Sequence, residues 1–168
     1  MSNFYTLVEE RFKNFATLNN LEFEIKDRIY PLGTKREYYL NKKETTLLKM
    51  TISKSASVSV INKRIAIAVH LQTHEDSSAI VKKTSRLSRL LHFRNQSKYF
   101  TISGSHNLKV INFLSNNPTR LFWTIPSSVV VEQLPGILSI NLTAFYLDGM
   151  IDIVNYLLDL IELYLPVR

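Results

Sequence analysis

Short segments of alternating apolar and polar residues, joined by connections of only a few residues, constrain this chain more than any other feature of its sequence. Leu21, Phe23 and Ile25 alternate with charged residues, and the same spacing returns at Ile65 and Ile67. Such alternation is typical of a strand that buries one face. Parallel neighbours need crossover connections of a dozen or more residues, which most of these segments lack. The pattern therefore predicts antiparallel meanders.

The same signals recur through much of the chain. They predict strands at residues 21–26, 38–40, 47–52, 58–60, 65–70, 99–103, 120–125, 129–132 and 137–145. Turn residues separate several of these segments, and we expect turns at 31–33, 62–63 and 135–136.

Helical spacing of apolar residues interrupts this pattern in four places. The predicted helices cover residues 2–19, 74–93, 108–114 and 150–165. Glu75 and Asp76 lie at the start of the second, where acidic side chains suit the positive end of the helix dipole. Asp148 and Gly149 introduce the last.

The length of 168 residues suits one globular domain. We therefore predict an α+β fold, in which N-terminal, central and C-terminal helices pack on a mainly antiparallel sheet. Residues 1–168 form a single domain in this interpretation. Similar orders of strands and turns in the two parts of the chain leave open a diverged internal duplication, with halves 1–98 and 99–168.

The last predicted helix is apolar around most of its circumference. Its polar residues form one narrow ribbon, made of Asp152, Asn155, Asp159 and Glu162. A helix with so wide an apolar surface is expected to be covered on more than one side. It either lies across the sheet beside the first helix, or it leaves Tyr156, Leu160 or Tyr164 for a dimer contact.

The positive charge of the chain is concentrated in its middle. The net charge is +7, yet residues 77–131 contain eight basic residues and no acidic ones, whereas residues 132–168 contain five acidic residues and one basic. Six of the eight basic residues lie within or just beyond the second predicted helix, and they are the candidates for binding an anion or a partner: Lys82, Lys83, Arg86, Arg89, Arg94 and Lys98.

Four interpretations of this basic segment stay open. It can be a solvated helix face. It can attract an acidic protein, including the acidic last helix of a second copy. It can bind phosphates of nucleic acid, or anionic lipid at a membrane surface. Nucleic acid is less favoured, because the sequence has no RNA-binding signature, zinc-ligand spacing or clear helix-turn-helix.

No group of residues has the spacing of an active site or a cofactor site. The chain has no cysteine, its four glycines are isolated, and none of its serines lies in a Gly-x-Ser-x-Gly elbow. His70 and His74 are four residues apart, but the first ends a predicted strand and the second begins a predicted helix. Only His106 offers a third metal ligand. We therefore predict no enzyme, no metal and no cofactor.

These observations predict a small non-catalytic domain that acts as a protein-interaction or adaptor module. The alternatives are a nucleic-acid-associated protein that uses the basic helix 82–98, and a small-ligand-binding domain or hydrolase with an unrecognised site. We expect a cytoplasmic protein without a transmembrane segment. The N-terminus lacks a signal peptide, and the apolar residues 150–165 are too few and too acidic to span a bilayer.

Overall fold

The structure of the protein, a computed structural model, describes residues 2–56, 61–84, 99–116 and 120–165. Within these residues it has an α+β fold, as the sequence predicts. The elements are α1 Ser2–Asn19, β1 Glu22–Tyr30, β2 Gly33–Lys42, β3 Thr45–Ala56, β4 Ile61–Gln72, β5 Ala79–Lys83, β6 Phe100–Gly104, α2 Lys109–Asn116, α3 Arg120–Thr124, β7 Ser128–Leu134, β8 Ile137–Ala144 and α4 Met150–Glu162.

The described strands form one sheet of eight in the order β1-β2-β3-β4-β8-β7-β5-β6. Every neighbouring pair is antiparallel, which confirms the predicted arrangement. The first four strands form a simple meander. The next neighbour of β4 is β8, and β5 lies between β7 and β6.

The described helices pack on one face of this sheet. Phe12 of α1 lies 6.0 Å from the rings of Phe23 and Tyr38, measured between centroids. Trp123 of α3 lies 4.7 Å from the ring of Phe100. The last helix, α4, contacts both α1 and α3. This confirms the interpretation in which α4 lies across the sheet with α1 beside it.

The opposite surface of the sheet, which we call the open face, carries polar and small side chains. One row of residues across five strands contains Glu37, Thr51, Ala66, Thr143 and Ser128. All of them except Glu37 stay partly or fully exposed. Side chains one position along each strand point to the helices instead, because successive residues alternate between faces. No helix within the described residues lies over the open face.

Two predicted elements have the wrong secondary structure. The helix predicted at 74–93 is wrong over Ala79–Lys83, which form β5. Ala79 and Val81 are buried on one side of this strand, and two neighbouring strands satisfy its backbone. The strand predicted at 120–125 is wrong, because Arg120–Thr124 form α3. There, consecutive residues Phe122 and Trp123 are both buried, which a helix allows and a half-exposed strand does not.

Smaller differences concern the turns and the duplication. The turn predicted at 62–63 is wrong, since Asn62 and Lys63 belong to β4 and pair with β3. The helix at Arg120–Thr124 also differs from the strand that the possible duplication required there. The predictions for residues 57–60 and 85–98 lie outside the described residues.

Side chains that are distant in sequence hold two helix ends. Glu75 accepts a hydrogen bond from the backbone N–H of Lys109 at 2.6 Å, at the start of α2. The Lys109 ammonium in turn donates to the carbonyl of Leu163, just beyond α4, and lies 5.1 Å from the ring of Tyr164. Each contact places a charge where the helix dipole favours it. Glu75 therefore stabilises the start of α2, and not the start of the helix predicted at 74–93.

Candidate interaction surface

The two described members of the predicted basic helix point to opposite faces of β5. Lys82 lies on the open face and is exposed. Lys83 points to the helices, and its ammonium donates hydrogen bonds to the carbonyls of Thr124, at 3.3 Å, and Pro126. Its charge thus stabilises the end of α3. The other four candidates lie outside the described residues: Arg86, Arg89, Arg94 and Lys98.

Two of the three residues proposed for a dimer contact are core residues of a single chain. Leu160 is fully buried and Tyr156 is 8% exposed. The ring of Tyr156 lies 5.0 Å from the rings of Phe113 and Phe122, and burial raises the pKa of its hydroxyl. Tyr164 is partly buried. The packing of one chain therefore accounts for the apolar surface that suggested a dimer, and dimerisation itself stays a prediction.

The histidines do not form a metal site within the described residues. His70 instead lies beside Ser139 on the open face, with 3.2 Å between Nδ1 and Oγ. These two residues are register partners on β4 and β8. A serine nucleophile also needs N–H donors for an oxyanion, and strand backbones here are engaged in the ladder. The pair is therefore best described as a cross-strand hydrogen bond.

A groove of about 1190 Å³ lies between β5, β7 and the loop that precedes α4. Lys82, Lys83, Asp148 and Asp152 contribute charges to its lining. Phe145 and Tyr146 also line it and are 52% and 72% exposed. This groove is where the small-ligand alternative would have to be tested.

Another group of charges lies elsewhere on the open face, around Glu37 of β2. Its Oε1 atom is 2.9 Å from the ammonium of Lys35 and 2.8 Å from that of Lys49, and its Oε2 atom is 3.8 Å from Arg28 Nε. The side chain of Glu37 is only 1% exposed, whereas 31% to 58% of each cation's side chain is exposed. The carboxylate is thus covered by cations that face the solvent.

An aromatic ring extends this group. The ammonium groups of Lys26 and Lys49 lie 4.9 Å and 5.1 Å from the centroid of the Tyr39 ring. Both distances fall within the range of cation–π contacts. Lys26 also pairs with Glu24 at 3.1 Å. We call the set Lys26, Arg28, Lys35, Glu37, Tyr39 and Lys49 the Glu37 cluster.

The protonation of Glu37 is shifted by these neighbours. Burial raises its pKa, but hydrogen bonds from Lys49 and Lys35 lower it by more, to about 2. The same hydrogen bond from Lys49 to Glu37 raises the pKa of Lys49. Glu37 and Lys49 therefore both stay charged around neutral pH. With four cations against Glu37 and the neighbouring Glu24, this part of the open face carries an excess of positive charge.

Sequence reasoning missed this cluster because its members come from three strands. Alternation alone places Lys35, Glu37 and Tyr39 on one side of β2, opposite the buried Tyr38. The register of the sheet then brings Lys26 of β1 beside Glu37, a pairing that the spacing along the chain does not reveal.

Comparison with known protein families, with curated proteins and with solved structures finds no match to this chain. Among the described residues, no helix combines the length and the apolar character needed to cross a bilayer.

Proposed function

We propose that this protein is a non-catalytic interaction module that binds an acidic segment of another protein through the Glu37 cluster. The observation that carries the proposal is the arrangement of Arg28, Lys35 and Lys49 around one buried carboxylate on the open face. An acidic segment is the natural complement of this surface.

The shared carboxylate limits the conformational freedom of the cations before a partner arrives. A free lysine loses side-chain entropy when it binds an anion, and this loss reduces the affinity. Lys35 and Lys49 already have part of that freedom removed by Glu37. Their exposed surfaces leave room for a second carboxylate. The excess positive charge also speeds the encounter with an acidic partner.

The aromatic member of the cluster favours carboxylates over nucleobases. Single-stranded nucleic acid is bound largely by stacking of bases on aromatic rings. The ring of Tyr39 is already engaged by Lys26 and Lys49. A base would have to displace at least one of them, whereas a carboxylate can pair with the same ammonium groups in place.

The test is the affinity for a fluorescein-labelled peptide of alternating glutamate and alanine, measured by anisotropy at low and high salt. The double variant Lys26→Gln and Lys49→Gln is expected to bind about fivefold more weakly. The matched control is Arg11→Gln with Lys13→Gln, which removes the same charge from exposed positions on α1. Circular dichroism establishes that both variants are folded.

The control should bind the peptide nearly as well as the unmodified chain. An equal loss in both double variants, or no binding by the unmodified chain, would overturn the proposal. Tighter binding of single-stranded DNA, lost through Lys26 and Lys49, would assign the surface to nucleic acid instead.

A further inference from the structure

The turn between β1 and β2 exposes three large apolar side chains. Ile29 is 87% exposed, Leu32 is 74% exposed and Tyr30 is 48% exposed. Pro31, between them, is exposed as well. Isolated exposed apolar residues are ordinary, but a contiguous group at a projecting turn indicates a binding surface.

This turn projects because β1 and β2 extend past the helices. Arg36 and Lys54 mark the boundary. Arg36 makes two 2.7 Å contacts with Asp27 and a 3.1 Å contact with Glu9 of α1, and the Lys54 ammonium lies 5.3 Å from the ring of Tyr5 of α1. Ile29 points to the same side of the sheet as Ile25, yet Ile25 packs against the core and Ile29 does not.

The projecting turn is held in place by its neighbour β3. A Cβ atom at Gly33 would lie only 2.1 Å from the carbonyl oxygen of Lys54, so this position admits no side chain. The backbone of β2 thus lies directly against β3. The exposed apolar residues are therefore carried on a paired part of the sheet.

Cations lie immediately behind the apolar turn. Two successive rows of register partners cross β1 to β4. The first row contains Ile29, Thr34, Lys54 and Lys63, and the second contains Arg28, Lys35, Ser53 and Arg64. These rows contain five basic residues and no acidic one. Because neighbouring rows point to opposite faces, the cations are distributed over both sides of the sheet. They lie roughly 3 to 7 Å behind the end of β1, given the rise per residue of a strand.

We propose that this end of the sheet binds the surface of an anionic lipid bilayer. Ile29, Tyr30 and Leu32 enter the interfacial region, and the two rows of cations meet the lipid headgroups. Tyrosine is well suited to this depth, since its ring is apolar and its hydroxyl can stay hydrated.

The placement of charge favours a planar partner. A sheet that approaches a bilayer end-on brings the cations of both its faces to the headgroups at a similar depth. Of these five cations, a partner lying on the open face would contact Arg28, Lys35 and Arg64, and it would leave Ile29 on the far side. Nucleic acid could take up Ile29 and Leu32 only between unstacked bases, and this unstacking costs free energy that a bilayer interface does not require.

The experiment is co-sedimentation of the full chain with vesicles of phosphatidylcholine and phosphatidylserine in equal parts, and with vesicles of phosphatidylcholine alone. We expect binding to the first and little to the second. The double variant Ile29→Ser and Leu32→Ser should lower the partition coefficient about tenfold or more. The double variant Lys63→Gln and Arg64→Gln should lower it less and should reduce its dependence on salt.

Matched controls are Leu18→Ser on α1 and Tyr146→Ser, because these residues are exposed to similar extents, 62% and 72%. Both should bind vesicles like the unmodified chain. Equal binding to neutral vesicles, no binding to either kind, or an equal loss in the controls would overturn the proposal.

The two proposals share Arg28 and Lys35, but their tests use different residues. The variants of the vesicle assay lie outside the Glu37 cluster, and the peptide assay uses Lys26 and Lys49, which lie outside the two rows of cations. A chain that binds vesicles but not the acidic peptide, or the reverse, therefore rejects one proposal and leaves the other supported. Binding of the acidic peptide that is lost in the variant Ile29→Ser and Leu32→Ser would assign the apolar turn to a protein partner.

Discussion

The two halves of the sheet are built from different kinds of connection. Strands β1 to β4 have 9 to 12 residues and follow one another as hairpins. Strands β5 to β8 have 5 to 8 residues, and their order in the sheet differs from their order in the chain. The first half carries its charges on a projecting end and an open face. The second half combines short strands with α2, α3 and a groove.

This difference shows how strand length and sheet topology determine which residues stay exposed. Long hairpins extend past the helices, and their outer residues can be charged or apolar without disturbing the core. The short strands of the second half, whose order in the sheet differs from their order in the chain, are accompanied by helices. Lys83 of β5 donates a hydrogen bond to the carbonyl of Thr124 and so stabilises the end of α3. Both candidate binding surfaces consequently lie on β1 to β4.

The strongest test of the comparison is whether the two halves unfold together. Phe12 is fully buried in the first half, and Phe12→Ala is expected to lower the free energy of unfolding by about 3–5 kcal/mol. Trp123 is the single tryptophan and lies in the second half, so its fluorescence reports that half alone. Because β4 and β8 pair continuously, we expect urea unfolding followed by fluorescence and by circular dichroism to shift equally.

A tryptophan transition that stays in place while circular dichroism shifts would contradict this expectation. It would show that the two halves of the sheet, β1 to β4 and β5 to β8, unfold as separate units. The reciprocal variant, Trp123→Ala, followed by circular dichroism alone, should lose a similar amount of stability.

A smaller effect is expected from acid, and it belongs to the first half. The pKa of Glu37 in the folded chain, about 2, lies below its ordinary value of 4.5. Its stabilising contribution is therefore complete above pH 4.5 and disappears as the pH falls towards 2. Because the cations that lower this pKa are themselves exposed and screened by solvent, we expect the contribution to be about 1–2 kcal/mol at neutral pH.

The measurement is the difference in unfolding free energy between the unmodified chain and Glu37→Gln across this range of pH. The difference should be largest at neutral pH and should shrink on acidification. A difference that is independent of pH would mean that Glu37 acts through packing and not through its charge.

The smallest expected effect concerns the contact that holds α2 in the second half. Glu75→Gln keeps the shape of the side chain but removes the charge at the start of the helix, and it should cost about 1 kcal/mol. Asp76→Asn is the matched control, because Asp76 is adjacent and exposed. It should change the stability by less than about 0.5 kcal/mol. Equal effects of the two variants would indicate a general charge effect and no specific contact.

The sequence predicted most of the first half because its structure is local, although the turn predicted at 62–63 lies inside β4. The residues Leu21, Phe23 and Ile25 alternate, and the strands that they and their neighbours form pair with the next strand along the chain. The second half was harder to predict because its partners are distant. Ala79–Lys83 carry no local signal strong enough to oppose the helical spacing beyond them, yet β7 and β6 pair with them on either side.

The candidate surface depended on the tertiary structure to a greater degree. Charge counting located the excess of basic residues in the middle of the chain, whereas the ordered cations of the described residues lie on β1 to β3. The charges of Lys35 and Glu37 are visible in the sequence. The fact that Arg28 and Lys49 meet the same carboxylate follows only from the register of three strands.

By itself, the sequence determined the fold class, the first meander and the two terminal helices, because each follows from the periodicity of apolar residues over short distances. Only the tertiary structure decided that β5 is a strand, that Tyr156 and Leu160 belong to the core, and that cations converge around Glu37 and behind the β1–β2 turn. The physical reason is that strand pairing and burial depend on residues far apart in the chain. Their energies outweigh local propensity once the sheet is assembled.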